Sequence, residues 1–181
     1  MGPPAFGPRA SVIAQRLFDE ATIAARVREI GASISADYAG KYPMIVGVLT
    51  SSAVFVADLT RCIDIPCEFD FIALTRYSDA EGIRFAKDTS ASVEGRHVVL
   101  VEDTIDTGLT LQYVTKTLRA REPASLEVCT LLDRPHRRIA GLDVKYRGFE
   151  IPDVFVVGYG LDYKGRYREL PELYAHGSWP Q

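Results

Sequence analysis

Chemistry concentrates in one run of this chain, Val98-Val99-Leu100-Val101-Glu102-Asp103-Thr104-Ile105-Asp106-Thr107-Gly108-Leu109-Thr110. Four aliphatic residues read as a buried strand, and three carboxylates follow before a Thr-Gly-x-Thr turn that opens a helix-patterned segment. In open α/β sheets, ligands bind beyond the carboxyl ends of the strands. A helix start there offers unpaired N–H groups and the positive end of its dipole to a phosphate. The hydroxyls of Thr107 and Thr110 add donors. Glu102 and Asp103 point to opposite sides if the strand persists, and such carboxylates suit sugar hydroxyls and the hard Mg²⁺ that accompanies phosphates. Taken singly, each reads as well as a strand-end carboxylate, and Asp106 as a helix cap; the specificity lies in the thirteen-residue string.

A second concentration lies toward the C-terminus. Between Arg134 and Arg168 stand eight basic residues (Arg134, Arg137, Arg138, Lys145, Arg147, Lys164, Arg166, Arg168) against Asp143, Glu150, Asp153 and Asp162, a local excess of four positive charges. Cations of this kind can support a phosphorylated leaving group. Lys164 and Arg166 read more simply as a solvated turn, and Phe155 alone reads as core.

These residues need a scaffold, and the pattern supplies one. Ile23, Val27, Ile30 and Ile34 recur at helical spacing between Ala21 and Tyr38, with Asp19 as cap and Gly40 and Pro43 closing the segment. Strand-like runs at Met44–Leu49, Pro66–Leu74, His97–Val101 and Leu126–Leu132 alternate with helix-like runs at Ala53–Cys62 and Leu109–Arg119. That alternation predicts an α/β fold with a parallel, doubly wound sheet flanked by helices. Tyr77–Gly95 is polar and reads as a long loop, either an active-site lid or a surface excursion. After Pro135 the pattern breaks into short strands and turns, a small flap in which Val154–Val157 is the one strong strand.

Composition bounds the partners. The 181 residues are 47% apolar and 25% charged, the balance of one folded domain that buries roughly 70% of its unfolded surface without a staple. Twenty-one Lys+Arg against 24 Asp+Glu give a net charge of −3, which argues against long nucleic acids as partners. Cys62, Cys67 and Cys129 form no C-x-x-C pair and point to a reducing, cytoplasmic setting. No apolar stretch is long enough to span a membrane, and residues 1–10 read as a disordered tail rather than a secretion signal.

The acidic string resembles the phosphoribosyl pyrophosphate (PRPP) motif of the type I phosphoribosyltransferases, and the chain as a whole is similar to their hypoxanthine-guanine phosphoribosyltransferase family. Val46-Gly47-Val48-Leu49, Phe55-Val56-Ala57-Asp58-Leu59, Ile65-Pro66-Cys67-Glu68-Phe69-Asp70-Phe71, Gly148-Phe149-Glu150-Ile151-Pro152-Asp153 and Val156-Val157-Gly158-Tyr159-Gly160-Leu161-Asp162-Tyr163 follow that family's order. The likeness extends from about Leu17 to Tyr174. It implies a single domain over 11–181, with a core at about 40–135, a mobile lid at about 76–95 and a small hood subdomain made from both ends of the chain. It further implies that Glu102 and Asp103 hold the ribose hydroxyls and the metal, with Asp162 supporting a second ion. Asp106, Thr107, Gly108, Leu109 and Thr110 would wrap the 5′-phosphate, Asp106 also serving as the base. Phe155, Val156, Asp162 and Arg134 would hold a 6-oxopurine, and Thr50, Ser51, Ser52 and Arg168 the pyrophosphate. The implied reaction transfers the phosphoribosyl group of PRPP to hypoxanthine or guanine with Mg²⁺, in an enzyme that is commonly a homo-dimer or tetramer.

Three departures from the family pattern bear on that reading. Many relatives have Lys-Gly-Gly where this chain has Thr50-Ser51-Ser52, and a lysine where it has Arg134; Arg76-Tyr77 also replaces a common Ser-Tyr. The loop change motivates one rival, a PRPP- or nucleotide-binding sensor on the same fold that does not turn over. A dinucleotide-binding oxidoreductase is weaker, because Gly158-Tyr159-Gly160 lacks a third glycine and no Walker-type Gly-Lys-Ser/Thr occurs.

Overall fold

The first helix shows how directly the sequence sets the architecture. Asp19 accepts a 2.8 Å bond from the Thr22 amide and starts α1 (Glu20–Asp37), whose Ile23, Val27, Ile30 and Ile34 are all buried. The computed structural model describes residues 13–76 and 83–176. The remaining elements, in chain order, begin with β1 (Ile13–Phe18), β2 (Met44–Leu49), α2 (Ala53–Arg61), β3 (Glu68–Arg76), β4 (Ile83–Lys87) and β5 (His97–Ile105). They continue with α3 (Leu109–Arg119), β6 (Ser125–Asp133), a 3₁₀ turn (Pro135–Arg137), β7 (Tyr146–Glu150), β8 (Val156–Val157) and β9 (Leu173–His176).

Six strands form the main sheet in the order β4-β3-β2-β5-β6-β7, parallel except for β4. Alternating residues face opposite layers, as a period of two requires. Ile45, Val99, Val101, Cys129 and Leu131 pack with α1 and α2. Met44, Val46, Val48, Val98, Leu100 and Val128 pack with Leu111, Val114 and Leu118 of α3. The expected doubly wound α/β fold is therefore present, with two helices on one face and one on the other. A second, antiparallel sheet of order β1-β9-β8 joins the two ends of the chain.

Three expectations need correction. The stretch Tyr77–Gly95 is not all loop, because 83–87 forms β4 against β3, with Leu74 opposite Phe85. This short edge strand alternates Ile83 and Phe85 with Arg84, and so few apolar residues give little signal in a polar stretch. Beyond it Val93 is buried and Asp88 pairs with Arg121, while 77–82 lies outside the described residues, as does the tail 1–10. After Pro135, Tyr146–Glu150 is a parallel edge strand of the main sheet rather than part of a flap. The strand expected at Val154–Val157 is confined to Val156–Val157.

Candidate active site

The chain crosses over from β2 to β3 in one direction and from β5 through β6 to β7 in the other, so β2 and β5 are neighbours whose following loops diverge. Such a switch point leaves a crevice at the strand ends. Both stretches singled out by their chemistry, Thr50-Ser51-Ser52 and Glu102–Thr110, stand at this crevice, because Met44–Gly47 pairs in register with Val98–Val101.

β5 runs on through the acidic residues as far as Ile105, four residues beyond its expected end. The persisting pleat sends neighbouring carboxylates to different sides. Glu102 lines a hollow of ≈ 160 Å³ with Thr104, Ile105, Asp106, Thr107, Gly108, Thr110 and Leu111, at the N-terminus of α3. Gly108 has φ +80° there, a left-handed conformation that suits glycine. Leu109 is half exposed and does not line the hollow. Asp103 turns instead into a cleft of ≈ 240 Å³ lined by Ser51, Asp103, Thr104, Asp106, Arg134, Phe155, Val156, Leu161 and Asp162. Thr104 and Asp106 line both spaces, which makes them one continuous site.

Burial and the adjacent Asp103 charge push the Glu102 carboxyl well above the usual carboxylate range. Burial also raises Asp103, against a 2.9 Å bond from Ser51 Oγ that favours its ionised form. Two acids held at this cost beside a helix N-terminus form a pair that a cation would relieve. Asp106 sits among cations: its Oδ1 is 2.8 Å from Arg137 Nε and 3.9 Å from an Arg134 terminal nitrogen. Arg134 is buried and donates to the Val154 carbonyl at 2.5 Å, and its Nε has no bonded partner among the described residues. Desolvation lowers its pKa, so an acceptor placed beside it gains more than one in water.

The loop after β2 departs from expectation in detail. The Leu49–Thr50 peptide is cis, and none of Thr50, Ser51 and Ser52 has positive φ, so no position there demands glycine on that ground. The Ser52 side chain is buried and bonded to the Val48 carbonyl at 2.6 Å. Only Ser51 of the three lines the cleft. Arg168 lies outside the cleft lining, bonded to Asp162 at 2.7 Å and to the Gly160 carbonyl at 2.6 Å. The other carboxylate oxygen of Asp162 accepts from the Gly165 amide at 2.6 Å.

The excess of positive charge after residue 134 is largely committed to internal pairs. Arg138 and Arg147 both bond the buried Asp133 carboxylate, Arg137 bridges Asp106 and Asp153, and Lys145 pairs with Asp37. Arg134, Phe155, Val156, Asp162, Asp103 and Asp106 do converge on one cleft. Sequence reasoning gave no role to Thr104, Leu161 or Arg137. Arg137 lies three positions beyond Arg134 in the 3₁₀ turn, and Pro135 between them was the available signal for a tight turn. A larger groove of ≈ 510 Å³ lies between α1, α2 and residues 168–171, away from the carboxylates.

Comparison with known proteins adds to this geometry. The family model described as a phosphoribosyl transferase domain matches residues 14–164. The hypoxanthine-guanine phosphoribosyltransferase of Bacillus subtilis (strain 168) is 42% identical over 161 residues, spanning 87% of this chain and 89% of that protein. The hypoxanthine phosphoribosyltransferase of Haemophilus influenzae is 45% identical over 161 residues, spanning 85% and 90%. Among solved structures, a hypoxanthine phosphoribosyltransferase from Staphylococcus aureus superposes with a TM-score of 0.90 at 38% identity, covering 95% of this chain and 96% of that one.

Proposed function

The chain belongs to the phosphoribosyl transferase family, in its hypoxanthine-guanine group, and from that premise we propose how its residues carry the family reaction. It is a purine-salvage transferase: N9 of hypoxanthine or guanine bonds to C1′ of PRPP, the C1′–pyrophosphate bond breaks, and IMP or GMP forms. All the relatives quoted above are named as transferases, and nothing in them favours a sensor without turnover.

The observation that carries the assignment of roles is the continuity of the two spaces through Thr104 and Asp106. The α3 hollow takes the 5′-phosphate on the unpaired amides of the helix start and the hydroxyls of Thr107 and Thr110. Glu102 and Asp103 take the ribose hydroxyls. The purine lies in the cleft against Phe155, its edge toward the backbone of Val156 and Asp162, with its 6-oxo group accepting from Arg134. The unpartnered buried Nε of Arg134 supports that last assignment. As N9 attacks, the ring proton of the purine passes to the Asp106 carboxylate. Arg134 and Arg137 keep that carboxylate beside the purine cleft. Pyrophosphate leaves toward the loop at Thr50-Ser51-Ser52, whose backbone and Ser51 are its nearest donors. Arg168 reaches it on exchange from Asp162.

The donor set also fits Mg²⁺. Among the described residues no three His, Cys, Asp or Glu side chains gather to hold a metal alone. Two raised carboxylates therefore suit an ion that brings phosphate oxygens and waters as its other ligands. Glu102 and Asp103 would hold it, with Asp162 serving a second ion once freed from Arg168; bound Mg²⁺ offsets the negative charge of the departing pyrophosphate. The sheet formed by β1, β8 and β9 is the hood of this reading and carries Val156 at the purine edge. A homo-dimer or tetramer is the assembly proposed with this reading, and three free thiols support a cytoplasmic setting.

The test is turnover with PRPP and Mg²⁺ on each of hypoxanthine, guanine, xanthine and adenine, followed by nucleotide formation. Hypoxanthine or guanine should react and adenine should not, because the 6-amino group of adenine meets a donor. Nucleotide binding without turnover on any base overturns the reading.

A further inference from the structure

We propose that Ser51 is a positioning residue for Asp103, so that the loop after β2 takes part in holding the ribose as well as receiving pyrophosphate. The proposal rests on the assignment of Asp103 to the ribose hydroxyls. Ser51 Oγ donates to Asp103 Oδ1 at 2.9 Å, a bond between residues 52 positions apart that spans the switch point from β2 to β5. Asp103 is only 8% exposed. A carboxyl group so little hydrated depends on neighbouring donors for its orientation, and Ser51 Oγ is the donor that reaches it from the loop after β2.

Ser51 is itself held from the other side. Its carbonyl lies so close to Gly160 that a Cβ there would stand 2.3 Å from the oxygen, and Gly160 has φ +97°. Gly160 in turn donates its amide to the Arg168 carbonyl at 3.0 Å and lies two residues before Asp162. The Ser51 backbone therefore rests on the segment that carries the purine edge while its hydroxyl steers the acid of β5. Ser52 cannot replace it, since its hydroxyl is buried on the Val48 carbonyl. The cleft lining, which contains both Ser51 and Asp103, places the bond where the ligand would meet it.

A double-mutant cycle tests this in the full chain. IMP affinity is measured by calorimetry in metal-free buffer for wild type, Ser51→Ala, Asp103→Ala and the double variant. Ser51→Ala should weaken IMP about three- to tenfold, the range for one lost hydrogen bond. In the Asp103→Ala background the same change should have no further effect, because the carboxyl group it orients is gone. In turnover, Ser51→Ala should raise KM for PRPP by a similar or larger factor, since Ser51 also faces the departing pyrophosphate. An unchanged or tighter IMP affinity in Ser51→Ala, or an equal loss in both backgrounds, overturns the positioning role. Failure of the wild-type chain to bind IMP overturns the functional reading instead, so the two failures are distinct. A melting curve for each variant separates misfolding from a local effect.

Discussion

Asp106 faces two demands that conflict in water. In the proposed base role it must accept the purine proton, yet it must also stay beside a cleft lined by Phe155, Val156 and Leu161. Arg137 Nε lies 2.8 Å from its Oδ1 and an Arg134 terminal nitrogen 3.9 Å from the same oxygen, so the residue proposed to bind the 6-oxo group also stands beside the proposed base. Replacing Asp106 by Asn keeps the shape and removes proton acceptance. We expect kcat to fall by about 10²–10⁴, with PRPP affinity little changed, in steady-state kinetics and direct binding. A kcat equal to wild type would take the base role from Asp106. Arginine at position 134 in place of the usual lysine matters at this same scale. Its planar fork reaches the Val154 carbonyl and approaches Asp106 from one buried position, which the point charge of a lysine would not do in the same way.

The turn from β5 into α3 is the element proposed to bind the 5′-phosphate, and Gly108 sets its shape. At φ +80° an added Cβ would also meet Leu142 Cδ1 at 2.9 Å and Ala140 Cβ at 3.3 Å. Gly108→Ala should cost about 1–2 kcal/mol for the left-handed backbone, a fall in Tm of roughly 2–8 °C for a chain of this size. It should also weaken ribose 5-phosphate binding, since the first amides of α3 would no longer converge. A melting curve and a titration check both, and an unchanged Tm would mean the turn tolerates a side chain. This element was legible because its cues are local. β2 and α3 have the bounds that the apolar spacing gives, and Asp19 caps α1 as its type and place suggest. β4 and β7 were missed because each is a short strand at the edge of the sheet, whose pairing is decided by partners far along the chain. The residues of the cleft were legible as types but not as contacts. Nothing in the order of residues shows that Ser52 turns inward to Val48, that Ser51 turns toward Asp103, or that Arg168 is tied to Asp162.

Across the whole molecule, the net charge of −3 conceals a network in which charges join elements to one another. Asp37 at the end of α1 is held by the Tyr146 hydroxyl at 2.7 Å and by Lys145 at 2.9 Å, which fastens the helix to β7. Asp88 after β4 takes two bonds from Arg121, at 2.8 and 2.6 Å, fastening the sheet edge to the end of α3. The hydrogen bond from Tyr146 and the pairing with Lys145 lower the Asp37 pKa below the ordinary 3.8, and Arg121 does the same for Asp88. A carboxyl group with a depressed folded pKa binds its proton first in the unfolded chain. The stability it contributes is therefore present above pH 3.8 and drains away as pH falls through the lower folded value. Glu102 and Asp103 act in the opposite sense: burial raises them, so stability is gained as the pH falls from their raised folded values, and the gain is complete only once the pH has passed below the ordinary carboxylate range. Urea unfolding at about pH 7, 4 and 2.5 should thus show the folded state weakening mainly in the last step. Asp88→Asn should lower stability at neutral pH and reduce the acid-dependent loss, since the group that titrates has been removed. If the unfolding free energy at pH about 2.5 is no lower than at pH about 4, these pairs do not fasten the edge elements, and the sheet holds β4 and β7 by strand pairing and apolar contact alone.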